Sequence, residues 1–251
     1  MVNIFRILTS LLVLQYASWA NAEEALLPGT VYSKTKLQLS AEQSGQLNFI
    51  LDVGETFQKG DAIARIDNSY EQKQLVQLSI QQQNIKAKIA EHQQIIDGYE
   101  SLLQSNSVSG EQRAQKHIDL LNSRHELNLI EQEIVRLTHI LDKKTINAPY
   151  PGVVLQRDVK TFEVVQAGDT LVTVFDPRAL YVLVHVPHHL YRTLDLQQAG
   201  VAEENSQLQL AFDYLVPEVD VRSSTVEVSF KVTGIGVLLG QALQIKIPKK
   251  L

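Results

Sequence analysis

The 251-residue sequence predicts a mixed α and β chain: a small β-sandwich written in two halves, with an antiparallel α-helical coiled-coil hairpin inserted between them. Three observations predict it. The stretch GQLNFILDVGETFQKGDAIARID at 45–67 returns in pattern as GVVLQRDVKTFEVVQAGDTLVTVFD at 152–176. Both begin on Gly and close on Gly-Asp, an apolar run and Asp, which is self-similarity at the scale of a structural unit. Between the two copies lies a polar, glycine-poor tract with apolar residues at alternating steps of three and four, the seam of a coiled coil. Neither half alone has enough residues to bury a core, so the halves must meet and the tract between them must leave and return to one place.

The first residues read MVNIFRILTSLLVLQYASWANA. Arg6, a short apolar core over 7–14 and Ala20-Asn21-Ala22 before the acidic pair Glu23-Glu24 are the layout of a cleaved secretory signal over residues 1–22. The apolar stretch is shorter than the roughly 20 residues of a membrane-spanning helix, so the expectation is an exported, periplasmic protein. The chain has no cysteine, which removes disulfides, thiolate metal sites, a cysteine nucleophile and a lipid-anchor Cys after the signal.

In the first half, Leu37, Leu39, Leu47, Phe49 and Leu51 alternate with polar neighbours, which is strand periodicity. Gly54 and Gly60 stand where turns are expected. In the second half, Val153, Val154, Val164, Val165, Leu171, Val172 and Val174 are β-prone, punctuated by Gly152 and Gly168. Two helices are expected over 69–103 and 110–142, each roughly 50 Å long. The seam of the first runs through Leu75, Leu78, Gln82, Ile85, Ile89, His92, Ile96, Tyr99 and Leu103, and that of the second through Lys116, Leu120, Ser123, Leu127, Ile130, Ile134, Leu137 and Leu141. Gln104-Ser105-Asn106-Ser107-Val108 joins them as a hairpin. Asn68 with Glu71, Ser69 with Gln72, and Ser109 with Gln112 are candidate capping boxes. Lys143 and Lys144 suit the negative end of the second helix, and Asn147-Ala148-Pro149 prevents its continuation. Gln82, His92, Lys116 and Ser123 are polar at nominal core positions, consistent with two helices that leave one side of the seam wet.

Composition and motifs exclude other classes. Charged residues make up 20% of the chain and nearly cancel, leaving a net charge of −5, so the basic stripe of a nucleic-acid binder is missing. No G-x-S-x-G elbow, H-E-x-x-H pair or phosphate-cradling Gly-rich loop occurs, and no enzyme is expected. His185, His188 and His189 are the residues that raise a metal question, but His188-His189 read as loop residues after Pro187 and no metal site is assigned. A lipoate- or biotin-bearing lysine would sit between the halves, where this chain carries the coiled coil instead, so no cofactor is expected.

The whole resembles the periplasmic adaptor subunits, or membrane fusion proteins (HlyD-like), of tripartite efflux pumps. Ser44-Gly45-Gln46-Leu47 with Val53 to Asp61 looks like the family's first half-motif, and Thr145 to Val154 like the segment that re-enters the sandwich. Leu180-Tyr181-Val182 with Val186-Pro187, Val216 to Asp220, and Ser224 to Val228 look like strands of its β-barrel domain. The resemblance implies a lipoyl-like sandwich over 29–67 plus 148–176, a helical hairpin over 68–147, a small β-barrel domain over 177–251, and a membrane-proximal domain that is absent or reduced. It implies an adaptor that bridges an inner-membrane transporter, RND type favoured, to an outer-membrane channel for export of small molecules. Self-association as a hexamer goes with it. An ABC-type partner or a free periplasmic scaffold are the alternatives. The family's hairpin tip carries a spaced Arg, Leu and Ser. Here Leu102 and Ser109 match in spacing and Gly98 stands at the Arg position, which makes Leu102, Ser105, Asn106, Ser107, Val108 and Ser109 the candidate docking residues.

Overall fold

The computed structural model describes residues 24–102, 110–202, 207–234 and 236–250, without the side chains of 100–102. It divides into two compact units, one of residues 37–174 and one drawn from 1–36 and 175–251. The expected signal sequence, residues 1–22, lies outside the described residues.

The chain enters through β1 (Glu24–Ser33), which belongs to the second unit. The first unit then begins with β2 (Leu37–Ser40), β3 (Gly45–Ile50), β4 (Thr56–Phe57) and β5 (Ala62–Ile66). Helices α1 (Ser69–Leu102) and α2 (Gly110–Lys143) follow, and then β6 (Thr145–Asn147), β7 (Gly152–Arg157), β8 (Val164–Val165) and β9 (Thr170–Phe175).

The strands make two four-stranded sheets, ordered β2-β9-β7-β4 and β6-β5-β3-β8. The sequence repeat matches β2 with β6, β3 with β7, β4 with β8 and β5 with β9. Exchanging each strand for its match turns one sheet order into the other. Each sheet thus has two inner strands from one half and two outer strands from the other, and neither half owns a sheet. A single core is shared by both: Leu47, Ile63 and Ile66 from one sheet are buried with Val154, Leu171, Val172 and Val174 from the other. The backbone bonds are reciprocal too. Gly60 N–H donates to the Ala148 carbonyl and Ala148 N–H to Asp61; Gly168 N–H donates to Ala41 and Ala41 N–H to Asp169, all at 2.8–2.9 Å.

The turns repeat at the level of side chains. Asp61 accepts from the backbone of Gln58, and Asp169 from that of Gln166, both at 2.7 Å. Glu55 accepts from Asp52 and Glu163 from Lys160, both at 2.8 Å. Gly60 (φ 90°) and Gly168 (φ 98°) occupy matching left-handed positions. Gly54 (φ 87°) is matched by Phe162 (φ 70°), so one half meets the same backbone demand without a glycine.

The alternation expected through Leu47, Phe49 and Leu51 breaks in β3. The pairing with β5 shifts register between Leu47 and Phe49, so Ile50 joins Leu47 in the core while Leu51 is only partly buried. An extra residue in one strand switches the face of everything after it.

The second unit holds β10 (Leu180–Pro187), β11 (Gly200–Val201), β12 (Gln209–Asp220), β13 (Thr225–Thr233) and β14 (Ala242–Pro248) with β1, in one sheet ordered β11-β14-β1-β10-β13-β12. Its core gathers Val31, Val182, Val184, Val228, Phe230 and Ile245. Residues 29–33, expected with the sandwich, are therefore in this sheet, paired to β10 and β14. Gly29 shows why: a Cβ there would lie 2.3 Å from Val182 Cγ1 and 3.2 Å from Ile245 Cγ1, so only glycine lets the central strand through. The pairings among the described residues run in an open order from β11 to β12 and include no bond between those two strands.

Candidate functional site

The two helices leave the sandwich between β5 and β6 and run antiparallel. Gln82 Nε2 donates to Glu131 Oε1 (3.0 Å), Lys88 pairs with Glu126 (3.8 Å) and Arg124 reaches Gln93 (3.4 Å), so positions on α1 rise as their partners on α2 fall. Ile96, Leu120, Ser123 and Leu137 are the buried seam residues among the described ones. The expected polar seam positions resolve individually. Ser123 is 1% exposed and returns its hydroxyl to the Asp119 carbonyl (3.0 Å). Lys116 leans to Asp119 (3.1 Å) and Gln82 crosses to Glu131, while His92 Nδ1 is buried with no partner among the described residues. Hydrogen bonds from Gln115 and Lys116 hold the Asp119 carboxyl below the usual aspartate range.

The root of the hairpin is tied to the sandwich by one lysine. Lys144 is 6% exposed. Its Nζ donates to the Asp67 carbonyl (2.8 Å) and to Glu71 Oε1 (2.6 Å), and its own carbonyl accepts from Ile66 N–H (2.8 Å). Residues 67, 71 and 144 thereby lock the start of α1, the end of α2 and the last residue of β5 into one knot. This changes the role read from the sequence. Glu71, expected in a capping box, holds Lys144 instead, and the first turn of α1 is capped by Asp67, which accepts from both the backbone and the hydroxyl of Ser69 (3.2 and 3.1 Å). Lys143 pairs outward with Glu42. The sequence signal for this knot was present as two adjacent lysines at a helix end, but nothing in it distinguished the buried one.

Of the expected tip residues, Leu102 is the last residue of α1. Ser105, Asn106, Ser107, Val108 and Ser109 lie outside the described residues. Gly98 lies within α1, and a Cβ built there meets nothing within 4 Å.

His185 is exposed on β10, and His188 and His189 follow that strand with their rings edge-on at 6.1 Å. Among the described residues no group of three His, Asp or Glu converges as metal ligands would. A polar cluster of the second unit went unread in the sequence. Lys34 pairs with Asp213 and sits 4.0 Å from the Tyr181 ring centroid and 4.7 Å from that of Tyr214. Tyr32 bonds both Ser229 (2.8 Å) and Tyr214 (3.3 Å), and the Tyr32 contact with burial pushes the Tyr214 hydroxyl well above its ordinary value. Its members are far apart in sequence, and only strand pairing brings them together.

A two-half sandwich that carries an inserted, rooted two-helix hairpin is the arrangement that the resemblance implied. Comparison with known proteins agrees. The multidrug resistance protein MdtA of Pectobacterium carotovorum subsp. carotovorum (strain PC1) is 26% identical over 176 residues, covering 68% of this chain and 43% of MdtA. The chain therefore spans less than half the length of that curated relative. The membrane fusion protein Spr0693 of Streptococcus pneumoniae R6 is similar in structure with a TM-score of 0.65 at 18% identity, over 90% of this chain and 98% of Spr0693. MacA from Actinobacillus actinomycetemcomitans has a TM-score of 0.63 at 15% identity, over 91% of this chain and 79% of MacA. No protein-family profile matches the sequence. No helix among the described residues is long and apolar enough to cross a membrane.

Proposed function

We propose that the protein is a periplasmic adaptor that bridges an inner-membrane efflux transporter, RND type favoured, to an outer-membrane channel for export of small molecules. The observation that carries the reading is the rooted hairpin. Two 34-residue helices, each about 50 Å long at 1.5 Å per residue, leave and re-enter a small sandwich and are fixed there by a buried ion pair. Such a projection suits spanning and docking. In this reading residues 1–22 export the chain, the unit of β1 and β10–β14 meets the transporter, and copies assemble side by side as a hexamer. The hairpin tip, Leu102 with Ser105, Asn106, Ser107, Val108 and Ser109, meets the channel. The role is mechanical: it seals a conduit and couples the states of its partners, with no bond chemistry.

The test is export from cells carrying Ser109→Arg, with folding and secretion checked in parallel. A bulky positive charge at the docking point abolishes export while the protein stays folded and secreted. Export at the full level refutes the tip assignment. Cross-linking in intact cells and identification of the co-purifying transporter then separates the RND partner from an ABC partner. Recovery of no transporter favours a free scaffold.

A further inference from the structure

The sheet of the second unit does not close: β11 and β12 stand at its two ends without a bond between them among the described residues. The gap is apolar on both sides. On β12 the register shifts between Phe212 and Tyr214, so that Phe212 pairs with Phe230 and Leu215 with Val228. Phe230 and Val228 are core residues, and directly opposed residues share a face. The bulge therefore turns both Phe212 and Leu215 to the core side; in a regular strand a separation of three would set them on opposite faces. Across the gap, the segment that leads to β11 contributes Tyr191, Leu194 and Leu196. Leu194 is fully buried, whereas Tyr191, Leu196, Phe212 and Leu215 keep part of their surface open to solvent. Between the two sides lies an open slot of about 350 Å³. Arg192 and Lys250, both exposed, stand at its mouth. Arg192 donates from Nε to the Tyr191 hydroxyl (2.8 Å), and neither cation pairs with a carboxylate among the described residues. Asp195, the acid of the slot, accepts from the Gln197 backbone (3.1 Å).

We infer that this slot binds a single-chain amphiphilic anion of the fatty-carboxylate type, its chain between Phe212, Leu215 and Leu196 and its carboxylate at Arg192 and Lys250. Three features select this ligand. Small-molecule sites combine a mostly apolar lining with a few polar groups that fix orientation, and the mouths of barrels are a common place for them. The volume is near the lower end of the ~300–1,000 Å³ range of such sites, which suits one medium-length chain and leaves no room for the two chains of a phospholipid. The charges choose the head group. Covering the half-open aliphatic and aromatic surface is favourable, while a head group kept at the mouth stays in water and avoids the cost of burying a charge. There the free end of a guanidinium can take a carboxylate by paired hydrogen bonds. A cationic amphiphile of the same length meets two like charges instead. The site lies wholly within the second unit, so it stands whether or not the chain serves a transporter.

Equilibrium dialysis of the purified protein against laurate, kept below its micelle concentration, is the test. One laurate per chain is expected, with dodecyltrimethylammonium, a cation of the same chain length, bound at least tenfold more weakly. Arg192→Glu with Lys250→Glu reverses two exposed charges and leaves the core untouched, so folding is preserved. That variant is expected to bind laurate at least tenfold more weakly and the cation more tightly than the parent does. Leu196→Trp fills the slot and is expected to remove binding of both amphiphiles with circular dichroism unchanged; should it fail to fold, the charge-reversed protein still decides. Absence of saturable laurate binding overturns the inference. So does equal binding of the two amphiphiles, or laurate binding that survives charge reversal, since either shows that the mouth does not read the head group. Binding to phosphatidylglycerol vesicles without binding of free laurate assigns the two cations to a membrane surface and overturns it as well.

Discussion

Phe162 holds a left-handed backbone (φ 70°) with its ring 70% exposed. A non-glycine residue there costs about 1–2 kcal/mol, and so exposed a ring recovers little by burial. Glycine removes that strain but gives back about 0.5–1 kcal/mol in unfolded-state entropy. Phe162→Gly is therefore expected to stabilise the sandwich by about 0.5–1 kcal/mol, read as a higher denaturant midpoint; a lower midpoint shows that the ring makes a contact worth more than the strain. The Gly-to-Phe mismatch is visible in the sequence only once Gly54 and Phe162 are aligned through the Glu, Gln and Gly-Asp that follow each, and chain geometry supplies that alignment.

Asp176 gives a second residue-scale case. Hydrogen bonds from the Arg178 guanidinium (both 3.0 Å), outweighing burial, hold its carboxyl below the usual aspartate range. A depressed folded-state value means that the stabilisation is present above the unfolded pKa, near 4, and is lost as pH falls through the lower folded value. Asp176→Asn is expected to lower stability at pH 7 and to flatten its fall between about pH 4 and the folded value, measured by urea unfolding at several pH values. An unchanged acid slope shows that this pair contributes nothing to the linkage.

At the scale of elements, the helices were legible and their attachment was not. A heptad seam fixes which residues face the partner helix, and Ile96, Leu120 and Leu137 are buried as it requires. The strands of the sandwich were legible as a repeat, but the bulge at Leu47–Phe49 was not, because Phe49, Ile50 and Leu51 are all apolar and the change of parity is hidden in that run. The root knot depends on where the returning chain lies, which no local pattern records. Lys144→Met removes one partner of a buried pair and strands Glu71, whose Oε2 already lacks a hydrogen bond. That costs about 3–5 kcal/mol, and Lys144→Met with Glu71→Leu recovers most of it. Thermal unfolding of the single and double variants checks this; a double variant no better than the single one shows that Lys144 acts through the Asp67 carbonyl rather than through the charge pair.

At the scale of the whole molecule, the interrupted repeat has a geometric explanation. The sandwich needs strands of both halves in each sheet, whereas the hairpin needs only that its two ends lie side by side. The knot meets that need: Ile66 N–H donates to the Lys144 carbonyl at 2.8 Å, so the end of β5 and the end of α2 already touch. Excising residues 69–143, joining the ends with four Gly/Ser residues and changing Lys144→Ser to remove the orphaned charge should leave the sandwich intact. Each halving of the connection lowers closure entropy by about 0.6 kcal/mol, and four halvings lower it by about 2.5 kcal/mol, against the loss of the root contacts. The expected product unfolds cooperatively, loses its helical circular dichroism, keeps its β signal and supports no export. A product without a cooperative transition shows instead that the hairpin nucleates the sandwich, so that the inserted helices are part of how the two halves find each other.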